Sequence, residues 1–331
     1  MSLISDRFRR LLTGSAKPSS QLSLNWGSHQ TLPIISRNLL EIVVDRSPGQ
    51  HYQAFDPLID SYVLRHSFTD RTIARIANAR FDVLTGAIYI DDTLISESLN
   101  RNRNVTNASY YKCDFKPDSV IVVPKDTHYH WLIEILPRVL QAVEYSPTST
   151  LVASSALASY QKQALKMFNF DVHYCDKRHR PFEVVLAAFG SDSGWPHPND
   201  VMTLRKKLSI PELPGTVPIF ISRSGSRRSD SSTLKLDLWA SSQGLKLVKC
   251  EDLSWEDELA IFKEASSITG EHGGGLANLI LAPKGTLLHD VYRPEYANPA
   301  FQNLSNVIND GDQSFYKSYN FEDFLNFINS N

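Results

Sequence analysis

Short apolar segments and amphipathic helical segments alternate between residues 120 and 292, and this alternation restricts the fold more than any other feature of the sequence. The apolar segments, of which Val120-Ile121-Val122-Val123 is the clearest, are continuous, as in strands that are buried on both faces. Buried strands connected by helices form a parallel sheet with helices on both sides. The sequence therefore predicts an α/β fold.

A stretch rich in Gly, Ser and Pro at residues 191–198 interrupts the alternation, which then begins again. A chain of 331 residues is long enough for two domains that each bury a core. We predict an N-terminal segment and linker at residues 1–20, a first Rossmann-like domain at 21–195 and a second at 196–331. Two such domains facing each other leave a ligand cleft at the carboxyl ends of their strands, and the last helix, around residues 321–328, is free to pack back across it.

The charges of the chain nearly balance, because 34 Lys and Arg accompany 36 Asp and Glu, and the net charge of −2 predicts no nucleic-acid partner. The three cysteines have no metal-ligand spacing, which indicates free thiols in a reducing compartment. There is no signal-peptide pattern and no apolar run near the roughly 18 residues of a membrane span. We therefore predict a cytoplasmic protein.

Residues 3–12 are the candidate for peripheral contact with the inner face of a membrane. Helical spacing places Ile4, Phe8 and Leu11 on one face of this segment and its three arginines off that face. A basic amphipathic helix can rest on an anionic membrane. The same pattern also fits a terminal helix docked on its own protein, and both interpretations stay open.

The loop at residues 270–278 reads Gly-Glu-His-Gly-Gly-Gly-Leu-Ala-Asn and follows a short segment with the pattern of a buried strand. Glycines let backbone N–H groups approach a phosphate without interference from Cβ atoms, and the helical run after the loop places that anion at the positive end of a helix. The loop therefore predicts a diphosphate cradle. A tight turn from strand to helix also needs glycines when no ligand binds, so that alternative stays open.

Two other motifs fit this loop poorly. His-Gly-Gly-Gly is the oxyanion-hole segment of many esterases, but no Gly-x-Ser-x-Gly nucleophile elbow occurs in the chain. The dinucleotide fingerprint Gly-x-Gly-x-x-Gly fails because His272 stands where its second glycine should be. The sequence thus disfavours an esterase or a nicotinamide-dependent dehydrogenase.

A second group of chemically active side chains occupies residues 128–138, which read His-Tyr-His-Trp-Leu-Ile-Glu-Ile-Leu-Pro-Arg. Because this segment directly follows a buried strand, His130 is expected near the first turn of a helix, with Glu134 one turn later and Arg138 one turn beyond. Glu134 can orient the imidazole of His130 or act as a base itself. The structural alternative is an ion pair between Glu134 and Arg138 beside a core histidine.

The pattern H-W-L-x-E-x-L-P-R, a Ser-Arg pair after a strand with a further Arg-Arg pair (Ser222, Arg223, Arg227 and Arg228), and G-x-H-G-x-G-L-x-N together resemble family 61 glycosyltransferases. The resemblance covers residues 120–292. It implies a GT-B fold with two facing Rossmann-like domains and inverting transfer of a hexose or pentose from a nucleotide diphosphate sugar, with a UDP-sugar as the expected donor. The implied acceptor is a hydroxyl of a glycan or glycoconjugate, and the implied setting is synthesis of surface polysaccharide.

The resemblance assigns the nucleotide sugar to the second domain and the acceptor to the first. Residues implied to bind the nucleotide sugar are Arg223, Arg228, His272, Gly273, Gly274, Gly275, Asn278 and Asp290. Positive side chains at a strand end can stabilise the charge of a leaving diphosphate, so we expect this role for the two arginines, although each can also be a solvated loop charge. His272 is expected to bind a phosphate or the sugar, and Asp290 the ribose hydroxyls.

The base is expected from the first domain, because inversion needs the acceptor hydroxyl deprotonated on the face opposite the nucleotide. We predict His130 as the base with Glu134 orienting it, and Glu134 acting directly as the nearest variant. His128 and Asp126 are close enough to substitute, and His128 and Arg138 are candidates to contact the acceptor.

The chain departs from the family pattern in three places. Thr127-His128-Tyr129 stands where Asn-Tyr-Tyr is frequent, Glu258 or a neighbour replaces a common glutamine, and Asp290 replaces a usual glutamate. Asp310-Gly311-Asp312 is the one match to the metal-binding Asp-x-Asp of other glycosyltransferases, and it lies in a polar turn, so neither a metal nor another cofactor is expected. A non-catalytic protein of the same fold that binds nucleotide sugars or acts as a scaffold is the alternative function.

Overall fold

A computed structural model describes residues 20–22, 39–45, 52–56, 61–65, 71–90, 93–95, 117–175, 179–187, 194, 196–226, 229–293 and 298–330. Residues 3–12, predicted to form the amphipathic helix, and half of the predicted boundary at 191–198 lie outside this set. Contacts divide the chain into two compact units. The first comprises Met1–Ser47, Thr69–Asp126 and Arg138–Gly190, and the second comprises Pro48–Phe68, Thr127–Pro137 and Ser191–Asn331.

The strands of the described residues are β1 Ser20–Leu22, β2 Leu39–Asp45, β3 Tyr52–Asp56, β4 Ser61–Arg65, β5 Arg71–Phe81, β6 Ile88–Ile90, β7 Thr93–Ile95, β8 Ser119–Val123, β9 Thr150–Ala153, β10 Val172–Tyr174, β11 His179–Ala187, β12 Val217–Ile221, β13 Lys246–Val248, β14 Ala265–Glu271, β15 Leu287–Tyr292 and β16 Tyr316–Asn320. Their α-helices are α1 His128–His130, α2 Leu136–Tyr145, α3 Ser159–Met167, α4 Pro198–Lys207, α5 Thr233–Ser242, α6 Trp255–Lys263, α7 Ala300–Ile308 and α8 Phe321–Ser330. A π-helix, Trp131–Ile135, joins α1 to α2, and 3-10 helices span Cys250–Asp252, Gly274–Leu281 and Gln313–Phe315.

The first unit contains a mixed sheet with the order β1-β7-β6-β5-β11-β8-β9-β10, and β2 also pairs with β5. Strands β11, β8, β9 and β10 are parallel neighbours, as the alternation of strands and helices predicted. Strands β5, β6 and β7 are antiparallel because short turns connect them. The core of this sheet includes Ile76, Phe81, Ile88, Val120 and Val184.

The second unit contains a parallel sheet with the order β13-β12-β14-β15-β16. The chain moves outward from β12 to β13 and then returns to β14, so the direction of winding reverses between β12 and β14. Open sheets of this order bind ligands beyond the carboxyl ends of the strands at this reversal. In this chain the segments that leave those two ends are Ser222-Arg223 and the glycine loop.

Helices α5 and α8 pack on one face of the parallel sheet. Their contacts there form a cluster of Phe220, Leu236, Ala240, Val291 and Phe321. Neighbouring strand residues point to opposite faces, so Ile221, next to Phe220, contacts the other side. A Cβ at Gly275 would lie 3.0 Å from Cγ2 of Ile221, which places the 3-10 helix Gly274–Leu281 on that side.

Several elements differ from the sequence prediction. The run after the glycines is a 3-10 helix, and a π-helix interrupts the helix predicted for residues 130–145. The prediction missed α7, because buried polar residues such as Gln302 and Asn306 hide its apolar face, and β16, because that edge strand is largely polar. Helix α8 packs on the sheet of its own unit, and its return across the interface stays a prediction.

We predict that Phe321→Ala lowers the free energy of unfolding by about 3–5 kcal/mol, because the ring is 2% exposed and its removal leaves a cavity. Phe327→Ala is the matched control on the same helix, since that ring is 55% exposed and its loss changes stability little. Denaturant unfolding of both variants measures the difference. Equal losses would show that α8 is not anchored through Phe321.

Candidate functional site

The glycine loop has a shape that its packing demands. A Cβ at Gly270 would lie 3.2 Å from Cβ of Ile221, and a Cβ at Gly273 would lie 1.9 Å from Nη2 of Arg223. The backbone N–H of His272 donates to the carbonyl of Val291 at 2.8 Å, which extends the pairing of β14 with β15 into the loop. Packing alone therefore requires glycine at positions 270 and 273, and anion binding by the loop stays a prediction.

Arg223 lies against the carbonyl side of this loop. Its Nη2 donates to the carbonyl oxygen of His272 at 2.5 Å and to that of Glu271 at 3.2 Å. Burial raises the pKa of the Glu271 carboxyl, and the charges of Arg223 and Arg293 act in the opposite direction. The guanidinium predicted to meet a diphosphate is thus at the loop, whereas Arg228 lies outside the described residues.

His272 is oriented by a buried carboxylate. Its Nδ1 lies 2.9 Å from Oδ2 and 3.1 Å from Oδ1 of Asp290, which is 1% exposed, and the same carboxylate accepts the hydroxyl of Tyr316 at 3.0 Å. A carboxylate only accepts, so Nδ1 carries the proton. Asp290 was predicted to bind ribose hydroxyls. The structure places its carboxylate beneath His272, and direct contact with a ribose stays a prediction.

His130 and Glu134 form the pair that their spacing predicted. Nδ1 of His130 lies 2.8 Å from Oε2 of Glu134, and both side chains are buried. The glutamate stands in the π-helix, and π-helical turns are frequent at functional sites. Trp131, fully buried, anchors this segment. The other two candidates on this stretch, Arg138 and Asp126, are buried and group with the first unit.

Residues 127–137 group with the second unit, although their position in the sequence assigns them to the first domain. Nε2 of His128 lies 2.8 Å from Oδ1 of Asn278, in the 3-10 helix that follows the glycines. Nδ2 of Asn278 donates to Oε1 of Glu258 at 2.6 Å. The two groups of predicted site residues are therefore in direct contact within one unit.

An aromatic side chain connects the histidines of the two groups. The ring of Phe301 in α7 lies 4.8 Å from the ring of His272 and 5.7 Å from the ring of Tyr129, measured between centroids. The ring of Tyr129 in turn lies 5.2 Å from that of His130. Sequence reasoning missed Phe301 and Tyr316, because each belongs to the site only through long-range packing. It named Glu258 only as a departure from the family pattern and predicted no contact for it.

The polar turn after α7 holds the Asp-x-Asp sequence. Asp310 has a φ of 53° and Gly311 a φ of 85°, Asp310 pairs with Lys284, and the carboxylate of Asp312 accepts the N–H of Ser314. Within the described ranges, no cluster of three or more His, Cys, Asp or Glu side chains has an arrangement that could hold a metal ion. Independence from metals stays a prediction. No helix in the same part of the chain is long and apolar enough to span a membrane.

Comparison with protein-family models gives a match to part of the chain. The family model described as Glycosyltransferase 61 matches residues 128–288, a stretch that begins at His128 and ends in β15. It therefore includes the candidate site residues except Asp126 and Asp290. No curated protein matches the chain.

We predict that Gly273→Ala lowers the free energy of unfolding by about 1.5–3 kcal/mol, because its Cβ displaces the guanidinium of Arg223 from the carbonyls it binds. Gly274→Ala is the matched control, since its Cβ would be 3.7 Å from Cβ of His128, an ordinary contact, and its cost is below about 1 kcal/mol. Denaturant unfolding compares the two. Equal losses of stability in the two variants would show that displacement of Arg223 is not the cause.

Proposed function

We propose, from the premise that residues 128–288 belong to the glycosyltransferase 61 family, that the chain is an inverting glycosyltransferase. It transfers a hexose or pentose from a nucleotide diphosphate sugar, with UDP as the expected nucleotide, to a hydroxyl of a glycan or glycoconjugate. The two units correspond to the domains of a GT-B fold, with the nucleotide on the second. The expected setting is surface polysaccharide synthesis in the cytoplasm, with residues 3–12 as the contact to the inner face of the membrane.

The observation that carries this proposal is the contact between the two groups of site residues at the winding reversal of the parallel sheet. His128 meets Asn278 beside the glycine loop, and His130 with its carboxylate partner follows two residues later in the chain. The residues that we assign to the donor and the candidate base therefore belong to one unit, which supports the proposal. This arrangement supports transfer between two substrates.

The base of the proposed reaction is His130. Because Nδ1–H of His130 donates its hydrogen bond to Glu134, Nε2 is the nitrogen that takes the proton of the acceptor hydroxyl. The carboxylate then stabilises the imidazolium that forms. The oxygen of the acceptor attacks the anomeric carbon while the bond to the phosphate breaks. In the nearest variant, Glu134 itself accepts the proton.

The leaving diphosphate gains negative charge as this bond breaks. Fixed positive groups and backbone N–H groups lower the barrier of such a step. We assign this role to Arg223, to Arg228 and to the amides of Gly273, Gly274 and Gly275, and we assign phosphate or sugar binding to His272. The reaction proposed in this way requires no metal ion.

We predict that His130→Ala and Glu134→Gln each reduce sugar transfer by about 10² to 10⁴, the usual cost of removing a general base, while donor affinity stays nearly unchanged. Glu144→Gln, an exposed glutamate at the end of α2, is the matched control and keeps the parental rate. The assay measures transfer and the slow hydrolysis of nucleotide sugars by the purified protein. Saturable donor binding without any turnover by the parent would favour the non-catalytic alternative. If both variants transferred sugar at the parental rate, His130 and Glu134 would have only a structural role.

We also predict that Arg223→Ala and Arg228→Ala weaken binding of the nucleoside diphosphate by about 1.5–3 kcal/mol, the range for hydrogen bonds to charged groups. Affinity for the bare nucleoside changes little. A thermal-shift screen against nucleotides and nucleotide sugars first identifies the nucleoside diphosphate that the protein prefers. A ligand at 100 times its dissociation constant stabilises the protein by about 2.7 kcal/mol, which such a screen detects. If both variants bound the diphosphate as tightly as the parent, the two arginines would not be part of the diphosphate site.

A further inference from the structure

His128, Asn278 and Glu258 form a polar chain that the reaction described so far leaves without a role. We propose that His128, in its protonated form, is a positive group that stabilises the leaving diphosphate, and that Asn278 and Glu258 are positioning residues that hold its proton. This inference rests on the proposed function. The sequence predicted that His128 contacts the acceptor, whereas this inference assigns it to the donor.

The direction of the Asn278 amide follows from its neighbours. Its Nδ2 donates to Oε1 of Glu258 at 2.6 Å, so its Oδ1 faces Nε2 of His128 at 2.8 Å. An amide oxygen only accepts, and Nε2 of His128 must therefore carry a proton. The three side chains thus form one directed chain of hydrogen bonds from the imidazole to the carboxylate.

The buried carboxylate of Glu258 is the charged end of this series of hydrogen bonds. Asn278 is fully buried and Glu258 is 2% exposed, and a buried carboxylate is costly unless a cation compensates it. The ion-pair partner of Glu258 in the described part of the chain is His128, with Nε2 3.5 Å from Oε1. Burial raises the pKa of Glu258, and the charge of His128 is the largest opposing influence. An imidazolium at residue 128 and a carboxylate at residue 258 therefore stabilise each other.

The position of His128 places that charge beside the glycine loop. A Cβ at Gly274 would lie 3.7 Å from Cβ of His128 and 3.9 Å from the backbone nitrogen of Tyr129. Asn278 stands in the 3-10 helix that begins at Gly274. His128 therefore lies beside this 3-10 helix, with its Cβ next to Gly274 and its imidazole bonded to Asn278 one turn further on.

The step that His128 assists needs no proton from it. The bond between the anomeric carbon and the phosphate oxygen breaks, its electron pair goes to that oxygen, and the diphosphate gains one negative charge. The imidazolium stabilises this charge, and the proton of the acceptor hydroxyl goes to His130 or Glu134. A fixed positive group in a partly buried site is effective because water does not screen it fully.

The test uses inorganic pyrophosphate and the nucleoside diphosphate found in the screen, with binding measured by calorimetry on the full chain. His128→Gln keeps a donor for Asn278 but loses the charge, and we expect it to bind pyrophosphate about tenfold more weakly or worse. His128→Lys keeps the charge and stays within about threefold of the parent. A purely structural histidine would give the reverse order, with the Gln variant tight and the Lys variant weak.

A second pair of variants tests Glu258. Glu258→Gln is expected to weaken pyrophosphate binding about threefold or more in the parent, because His128 loses the partner that holds its proton. In the His128→Lys background the same change does not weaken binding, since the lysine keeps its charge. Glu256→Gln, an exposed residue on the same helix, is the matched control. If Glu258→Gln strengthened binding in the parent, the carboxylate would only repel the anion and the positioning role would be wrong.

The failure of this inference differs from the failure of the proposed function. A parent that transfers sugar and a His128→Gln variant that binds pyrophosphate equally well would overturn only the role of His128. A parent that binds neither pyrophosphate nor any nucleoside diphosphate would overturn both.

Discussion

The buried amide of Asn278 is the contact on which the arrangement of this site depends. It bonds to His128, 150 positions away in the chain, and to Glu258, 20 positions away. No water competes for these bonds because the side chain is fully buried, and leaving any member unpaired would cost about 1–3 kcal/mol. The amide therefore fixes the start of α1 against the segment that follows the glycine loop.

Each of three histidines in the second unit has one ring nitrogen committed to an acceptor. His130 bonds to Glu134, His272 bonds to Asp290, and His128 bonds to Asn278 with Glu258 behind it. Each of these hydrogen bonds holds a proton on the ring nitrogen that donates it. The other nitrogen of the ring is then the one that can gain or lose a proton. Imidazoles oriented in this way suit proton transfer and charge stabilisation without reorganisation during the reaction.

Two of the departures from the family pattern meet in this arrangement. His128 stands in the altered Asn-Tyr-Tyr segment, and Glu258 is a candidate for the replaced glutamine. The two side chains are 3.5 Å apart at Nε2 and Oε1 and share Asn278 as a partner. The imidazolium proposed for His128 would compensate the buried carboxylate of Glu258.

The sequence by itself determined what depends on neighbours along the chain. The apolar pattern predicted four of the five parallel strands of the second unit, β12 to β15. The four-residue spacing of His130 and Glu134 predicted their hydrogen bond, because helical geometry alone sets which residues share a face. Only the tertiary structure decided that residues 127–137 group with the second unit, that Asp290 lies beneath His272, and that Glu258 belongs to the site. These contacts join strand ends and helices distant in sequence, and packing, which leaves no local periodicity, selects them.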